Sequence, residues 1–150
     1  MRHGFLKLTF TDDGDGTGKL SVEAAAGGYS GKGSAYFNID AIAEFAGSIS
    51  RFPLADSDCC LISGGVDAAH GQPKQEHLGI EIYPIDHRGH IGVQVRTGTP
   101  IWPDTRVKSQ SAVKLEIITT YEPLARFSKD LLALVSGSTT DATLEGEMLS

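Results

Sequence analysis

The chain has 150 residues, 40% of them hydrophobic, and its 19 acidic side chains outnumber the 13 basic ones for a net charge of -6. That is enough chain for one domain burying roughly 70% of the surface it would expose unfolded, and it is too apolar for the disordered class. The charge works against nucleic acid, and no apolar run approaches the roughly 20 residues of a membrane-spanning helix.

After Arg2 and His3 the apolar stretch is broken by Lys7 and stops at Phe10, so no secretory leader is expected. Phe5, Leu6, Leu8 and Phe10 predict a first strand, TDDGDGTG a turn, and KLSVEA a second strand by alternation of Leu20, Val22 and Ala24. GGYSGKG reads as a loop and SAYFNI as a third strand entering helix A, about Asp40 to Phe52, with Asn38 and Asp40 as capping residues. Ile42, Phe45, Ile49 and Phe52 share one face of that helix, and Pro53 stops it. CCLIS is a short apolar strand, in which the adjacent Cys59 and Cys60 are expected as buried thiols of a reducing cytosol. EHLGIEIYPID and HIGVQVR flank HRG as a β-hairpin, with Leu78, Ile80 and Ile82 facing Ile91, Val93 and Val95. A polar stretch from Thr97 to Gln110 leads into the strand SAVKLEIITT. Helix B, about Tyr121 to Val135, has Thr119 and Glu122 at capping-box spacing, Pro123 in its first turn and Gly137 beyond its end. ATLEG is the last strand.

Helices A and B belong to one recurring pattern. FNIDAIAEFAGSISRF continues to CCLISGG, and TTYEPLARFSKDLLAL continues to DATLEGE. Subtracting 82 maps Phe127 onto Phe45, Leu131 onto Ile49, Leu134 onto Phe52, Leu144 onto Ile62 and Gly146 onto Gly64. A fixed offset predicts a repeated strand-helix-strand unit that buries its apolar face against the rest of the domain. Helices follow strands too sparsely for a parallel sheet. The fold class expected is α+β, an antiparallel or mixed sheet of about seven to eight strands with two equivalent amphipathic helices on one face.

Catalytic and metal motifs fail on their own requirements. DGDGTGKLSVEA places Asp13, Asp15 and Gly18 as in a calcium loop, but Ala24 stands where the bidentate Glu belongs, and strands flank it where the motif needs helices. It reads as an Asp/Gly hairpin loop. A phosphate loop in GGYSGKGS would need Gly at Ala26 and Ser or Thr at Gly33. His87 and His90 read as solvated turn histidines, with His77 more than about 20 Å away along the hairpin. No serine has the spacing of a nucleophile elbow, and no pair of carboxylates is placed by spacing in a cleft. No catalytic residue, metal ligand or cofactor is assigned.

The segment TGTPIWPDTR, Thr97 to Arg106, holds the chain's one tryptophan between two prolines. Trp102 fits either of two roles: a plug for a small core beneath the loop, or a rigid aromatic anchor for a partner. The order of hairpin, Gly-rich loop, AYFNIDAIAEFAGSI, the EHLGIEIYPIDHRGHIGVQV hairpin, TTYEPLARFSKDLLAL and ATLEG resembles the small bacterial family that includes WapI-type immunity proteins, over about Phe5 to Gly146. The resemblance implies a non-enzymatic cytoplasmic protein that binds and neutralises a basic nuclease toxin domain, with no catalytic motif to transfer. A net charge of -6 suits a basic protein partner, and homo-oligomerisation is compatible with it. The other class left open is a small ligand-binding domain or enzyme whose site is assembled from residues distant in sequence. Protein purified without chelator is expected to carry less than stoichiometric calcium and zinc. Stoichiometric calcium lost on mutating Asp13 and Asp15 would overturn the hairpin reading of that loop.

Overall fold

Among the described residues, alternating apolar and polar side chains build eight strands: β1 (Phe5–Asp12), β2 (Thr17–Ala26), β3 (Tyr29–Asn38), β4 (Leu61–Val66), β5 (Gln75–Pro84), β6 (His90–Gly98), β7 (Ala112–Thr120) and β8 (Ala142–Glu145). Two helices, α1 (Ile39–Ile49) and α2 (Tyr121–Val135), follow β3 and β7. The computed structural model describes residues 4–54, 60–66, 75–102, 104 and 106–147, so Cys59 lies outside the described residues, while Cys60 is buried with its Sγ 3.6 Å from the Ser48 carbonyl oxygen. Among the described residues no helix is long and apolar enough to cross a membrane.

The strands form two sheets where one was expected. Their orders are β3-β2-β1-β8 and β4-β5-β6-β7, with every pairing antiparallel. The ladder breaks at each helix, because β4 bonds to β5 and β8 bonds to β1. Each sheet therefore contains three strands of one half of the chain and a fourth that arrives through a helix from the other half. β3 begins at Tyr29, inside the stretch expected to be a loop, leaving Gly27 and Gly28 as the turn. The reason lies in the close approach of the two sheets. A Cβ on Gly33 would stand 2.3 Å from the His77 carbonyl oxygen, and one on Gly31 would stand 2.5 Å from Thr97 Oγ1. Those glycines let a strand cross where side chains could not.

The helices pack on each other, α1 also touching β3 and β4 and α2 touching β1, β7 and β8. Ile42, Phe45 and Ile49 of α1 and Leu124, Phe127, Leu131 and Leu134 of α2 join one buried cluster that extends through both sheets. At the last turn of α1 the Ser50 N–H turns to Gly47, which leaves the Ala46 carbonyl without its usual helical donor. The buried Ser128 hydroxyl of α2 donates to it at 2.6 Å. α2 ends with Gly137 at φ +84° and Ser138 N–H bonded to Ala133 O, a Schellman closure.

Three expectations are corrected at the helix ends. α1 stops at Ile49, and Phe52, expected in the core, is 78% exposed. Pro53 disfavours the helical conformation for the residue before it, so the chain leaves the helix early and the Phe52 ring leaves the core face. Thr120 is the N-cap of α2, and Thr119 is no capping residue. The alternation of β7 carries Thr119 inward, where its hydroxyl is fully buried with no hydrogen-bond partner among the described residues. Asn38 occupies the N-cap of α1 without a side-chain bond, and Asp40 sits in the first turn.

Phe127→Ala is expected to destabilise the protein by about 3–5 kcal/mol, through lost transfer energy and the cavity left behind. Ser128→Ala, which strands a buried carbonyl, should cost about 1–3 kcal/mol. Denaturant titration measures both; a loss under about 1 kcal/mol for Phe127→Ala is incompatible with the core described.

Candidate protein-interaction loop

The connection between β6 and β7 runs from Gly98 to Ala112, whereas β2 and β3 are joined by Gly27 and Gly28 alone. The base of this long loop is closed like a strand rung. Thr99 N–H donates to Ser111 O at 2.9 Å, Ser111 N–H donates to Thr99 Oγ1 at 2.9 Å, and Gln110 Nε2 donates to Thr99 O at 3.0 Å. Further along, the side-chain amide of Gln75 acts as a second backbone. Its Nε2 donates to Ile101 O at 2.7 Å, and its Oε1 accepts from Ile101 N–H at 2.8 Å. With Oε1 fixed as an acceptor, the His77 contact at 2.9 Å puts the imidazole proton on Nε2. Gln75 and His77 are both buried, so these bonds hold without competition from water.

Trp102 follows the residue that is clamped. It is 55% exposed, which removes the plug role, and Val107 in the short 3₁₀ turn Val107–Ser109 is 74% exposed. The backbone is pinned at Thr99, Ile101 and Ser111 while Trp102 and Val107 leave apolar side chains unburied, an arrangement that lowers the ordering cost of binding. Gln75 carried no sequence signal for this role, because its partner Ile101 is brought to it only by the fold.

The outward face of β5, β6 and β7 is bound into a polar ladder. Arg96 grips Glu76 through Nε at 2.7 Å and Nη2 at 3.1 Å, and its Nη1 reaches Gln94 at 2.8 Å and Glu81 at 3.3 Å. The Glu76 hydrogen bond is the first reason its guanidinium is held further toward the charged form. Tyr83 lies over Gly92, where a Cβ would meet its ring, and donates to Glu116. Partial burial first, then that hydrogen bond to a carboxylate, raises its pKa.

At the opposite end of β5 and β6 the turn is organised by Asp86. Its Oδ1 accepts from the backbone N–H groups of Arg88 at 2.7 Å and His90 at 3.2 Å, and its Oδ2 pairs with His90 Nδ1 at 2.7 Å. His90 is therefore partly buried and hydrogen-bonded to Asp86, and not the solvated histidine expected. In the β1–β2 turn, Asp12 Oδ1 accepts from Gly14 N–H at 2.7 Å, and Asp15 Oδ1 accepts from the Thr17 N–H at 3.1 Å and its hydroxyl at 2.6 Å. These carboxylates close a hairpin between two paired strands. Among the described residues no three His, Cys, Asp or Glu side chains gather as a metal-ligand set. No protein-family model, curated protein or solved structure matches the chain.

Partial burial opposes the charge on Asp86, but the bonds from the His90 side chain and the Arg88 and His90 backbone outweigh it and lower its pKa from the ordinary 3.8 to about 2. A carboxyl depressed in the folded state stabilises above its unfolded value and loses that contribution as pH falls. The stability advantage of the wild type over Asp86→Asn should be full above pH 3.8 and shrink as pH falls toward about 2. Thermal melts of both proteins across that window give the answer, and a constant difference would show that the carboxylate charge contributes nothing.

Proposed function

We propose that this is a cytoplasmic, non-enzymatic binding protein that acts by occluding a protein partner, in the manner of the WapI-type immunity proteins whose pattern it resembles, and that the partner is a basic toxin domain. The observation that carries the reading is Trp102, exposed on a loop whose backbone is clamped by Gln75. Such anchors supply a large share of interface energy.

We further propose that β3-α1-β4 and β7-α2-β8 are copies of one supersecondary unit, each preceded by a hairpin. Several observations support it. The N-caps Asn38 and Thr120 differ by 82 in number, as do Ser128 and Ala46, which bond to each other across the helix pair. The sheet orders are also the same when the halves are exchanged. On that reading the 99–111 loop is what one half has and the other lacks. The fold closes the equivalent connection with two glycines, so the extra residues serve something other than closure.

Charge enters at long range. The net -6 steers a basic partner toward the protein, whereas the loop itself holds Arg106 and Lys108 against Asp104 and contributes packing at short range. Co-expression with the toxin domain of a neighbouring gene should protect cells. Trp102→Ala should weaken the complex by about 2 kcal/mol, roughly 30-fold, with thermal stability unchanged. The association rate should fall as salt rises, because rim charges are screened over about 8–10 Å near physiological ionic strength. No protection against any toxin domain encoded beside it would sink the immunity reading, and wild-type affinity in Trp102→Ala would remove the anchor.

A further inference from the structure

We propose that the cleft between the exit of α1, the β5–β6 turn and the start of α2 is a second recognition surface, whose occupant is a partner segment carrying a bulky apolar side chain next to a carboxylate. The inference does not rest on the Trp102 loop. That loop leaves β6 at Gly98, and this cleft lies where β6 begins at His90, about 26 Å away at the ~3.3 Å rise of a strand.

The apolar part is Phe52, Ile85 and the two prolines Pro53 and Pro84, which line one concavity with Tyr121. Phe52 is 78% exposed and Ile85 is 38% exposed. Phe52 sits on Tyr121 edge-to-face at 4.7 Å between ring centroids, so the ring is held at the surface and not folded into the core. An apolar patch with a polar rim is the usual mark of a contact surface. The walls are also fixed before anything binds. Leu54 N–H donates to the Tyr121 hydroxyl oxygen at 3.1 Å, and Ile85 N–H donates to His90 O at 2.9 Å.

The rim selects charge. Arg88 and His87 line the same cleft, and the one carboxylate among its described lining residues, Asp86, is already occupied by the His90 imidazole and two backbone N–H groups. The Arg88 guanidinium comes no nearer to Asp86 than 3.7 Å, and its side chain is 69% exposed. It therefore keeps donors for a second anion. The Tyr121 oxygen accepts from Leu54, so its own proton is available to donate into the cleft. A planar fork and a hydroxyl donor beside an aromatic shelf match a carboxylate adjoining an apolar side chain.

The test uses the full chain with a hexapeptide ending in phenylalanine, supplied as the free acid and as the C-terminal amide, and followed by backbone amide NMR. The free acid should perturb the amides of Leu54, Arg88 and Gly89 and bind about tenfold tighter than the amide, the difference of about one charge-assisted hydrogen-bond pair. Phe52→Ser should weaken both peptides by about tenfold or more, and Arg88→Gln should remove the preference for the acid while leaving the amide's affinity unchanged. Trp102→Ala should change neither. Equal affinity of acid and amide for the wild type, unchanged binding in Phe52→Ser, or perturbations centred on residues 99–111 would each overturn the proposal. The last outcome would leave the Trp102 loop as the binding surface.

Discussion

Each sheet is finished by a strand that reaches it only through a helix. β4 is delivered by α1 and β8 by α2, so the contact between the two helices determines whether both sheets can be complete at once. At that contact the Ser128 hydroxyl meets the Ala46 carbonyl, and the fully buried Phe127 lies one residue away. A helix that shifted would move its own strand out of the other half's sheet. Coupling of this kind ties the stability of two sheets to one interface, and it favours a single cooperative transition.

With stability concentrated in the helix pair and the inward sheet faces, the connections are free to differ. The β2–β3 turn is two glycines, while the β6–β7 connection carries Trp102, a 3₁₀ turn and two positive charges, Arg106 and Lys108. The long loop is nevertheless held by hydrogen bonds from the buried side-chain amide of Gln75, which His77 contacts in turn. A buried amide that pairs both ways with a backbone unit fixes geometry without placing a charge in the interior. The outward face of β5–β7 is treated differently, with Arg96 satisfied by two carboxylates and an amide on the surface, where desolvation is mild.

Much of this was legible in the chain because the signals were periodic. The inward side chains of β5 and β6 fall as expected, with Ile80 against Val95 and Ile82 against Val93, and α2 has the predicted bounds. What periodicity could not carry was partnership. Nothing in CCLIS says that β4 pairs with β5 and not with β3, and nothing in the run of glycines at 27–33 separates a loop from a strand that passes close to another sheet. Phe52 continued the helical apolar pattern, but Pro53 had already ended the helix that would have buried it. For the sites, Trp102 was visible by its rarity and its flanking prolines. Its exposure was not, because exposure depends on the clamp from Gln75, which lies before the hairpin that separates the two residues in the chain.

The pairing of β8 with β1 has a consequence for biosynthesis. β1, β2 and β3 emerge from the ribosome together, and Leu6 and Leu8 of β1 are fully buried only in the finished protein. The neighbour that covers the open side of β1, Ala142–Glu145, is translated after all the other strands and both helices. Throughout that interval the nascent chain presents an unpaired strand edge with an apolar face, the template to which a second nascent chain would add. Lys7, at the middle of that edge and facing outward beside Thr143 in the mature pairing, supplies the charge that opposes such an encounter.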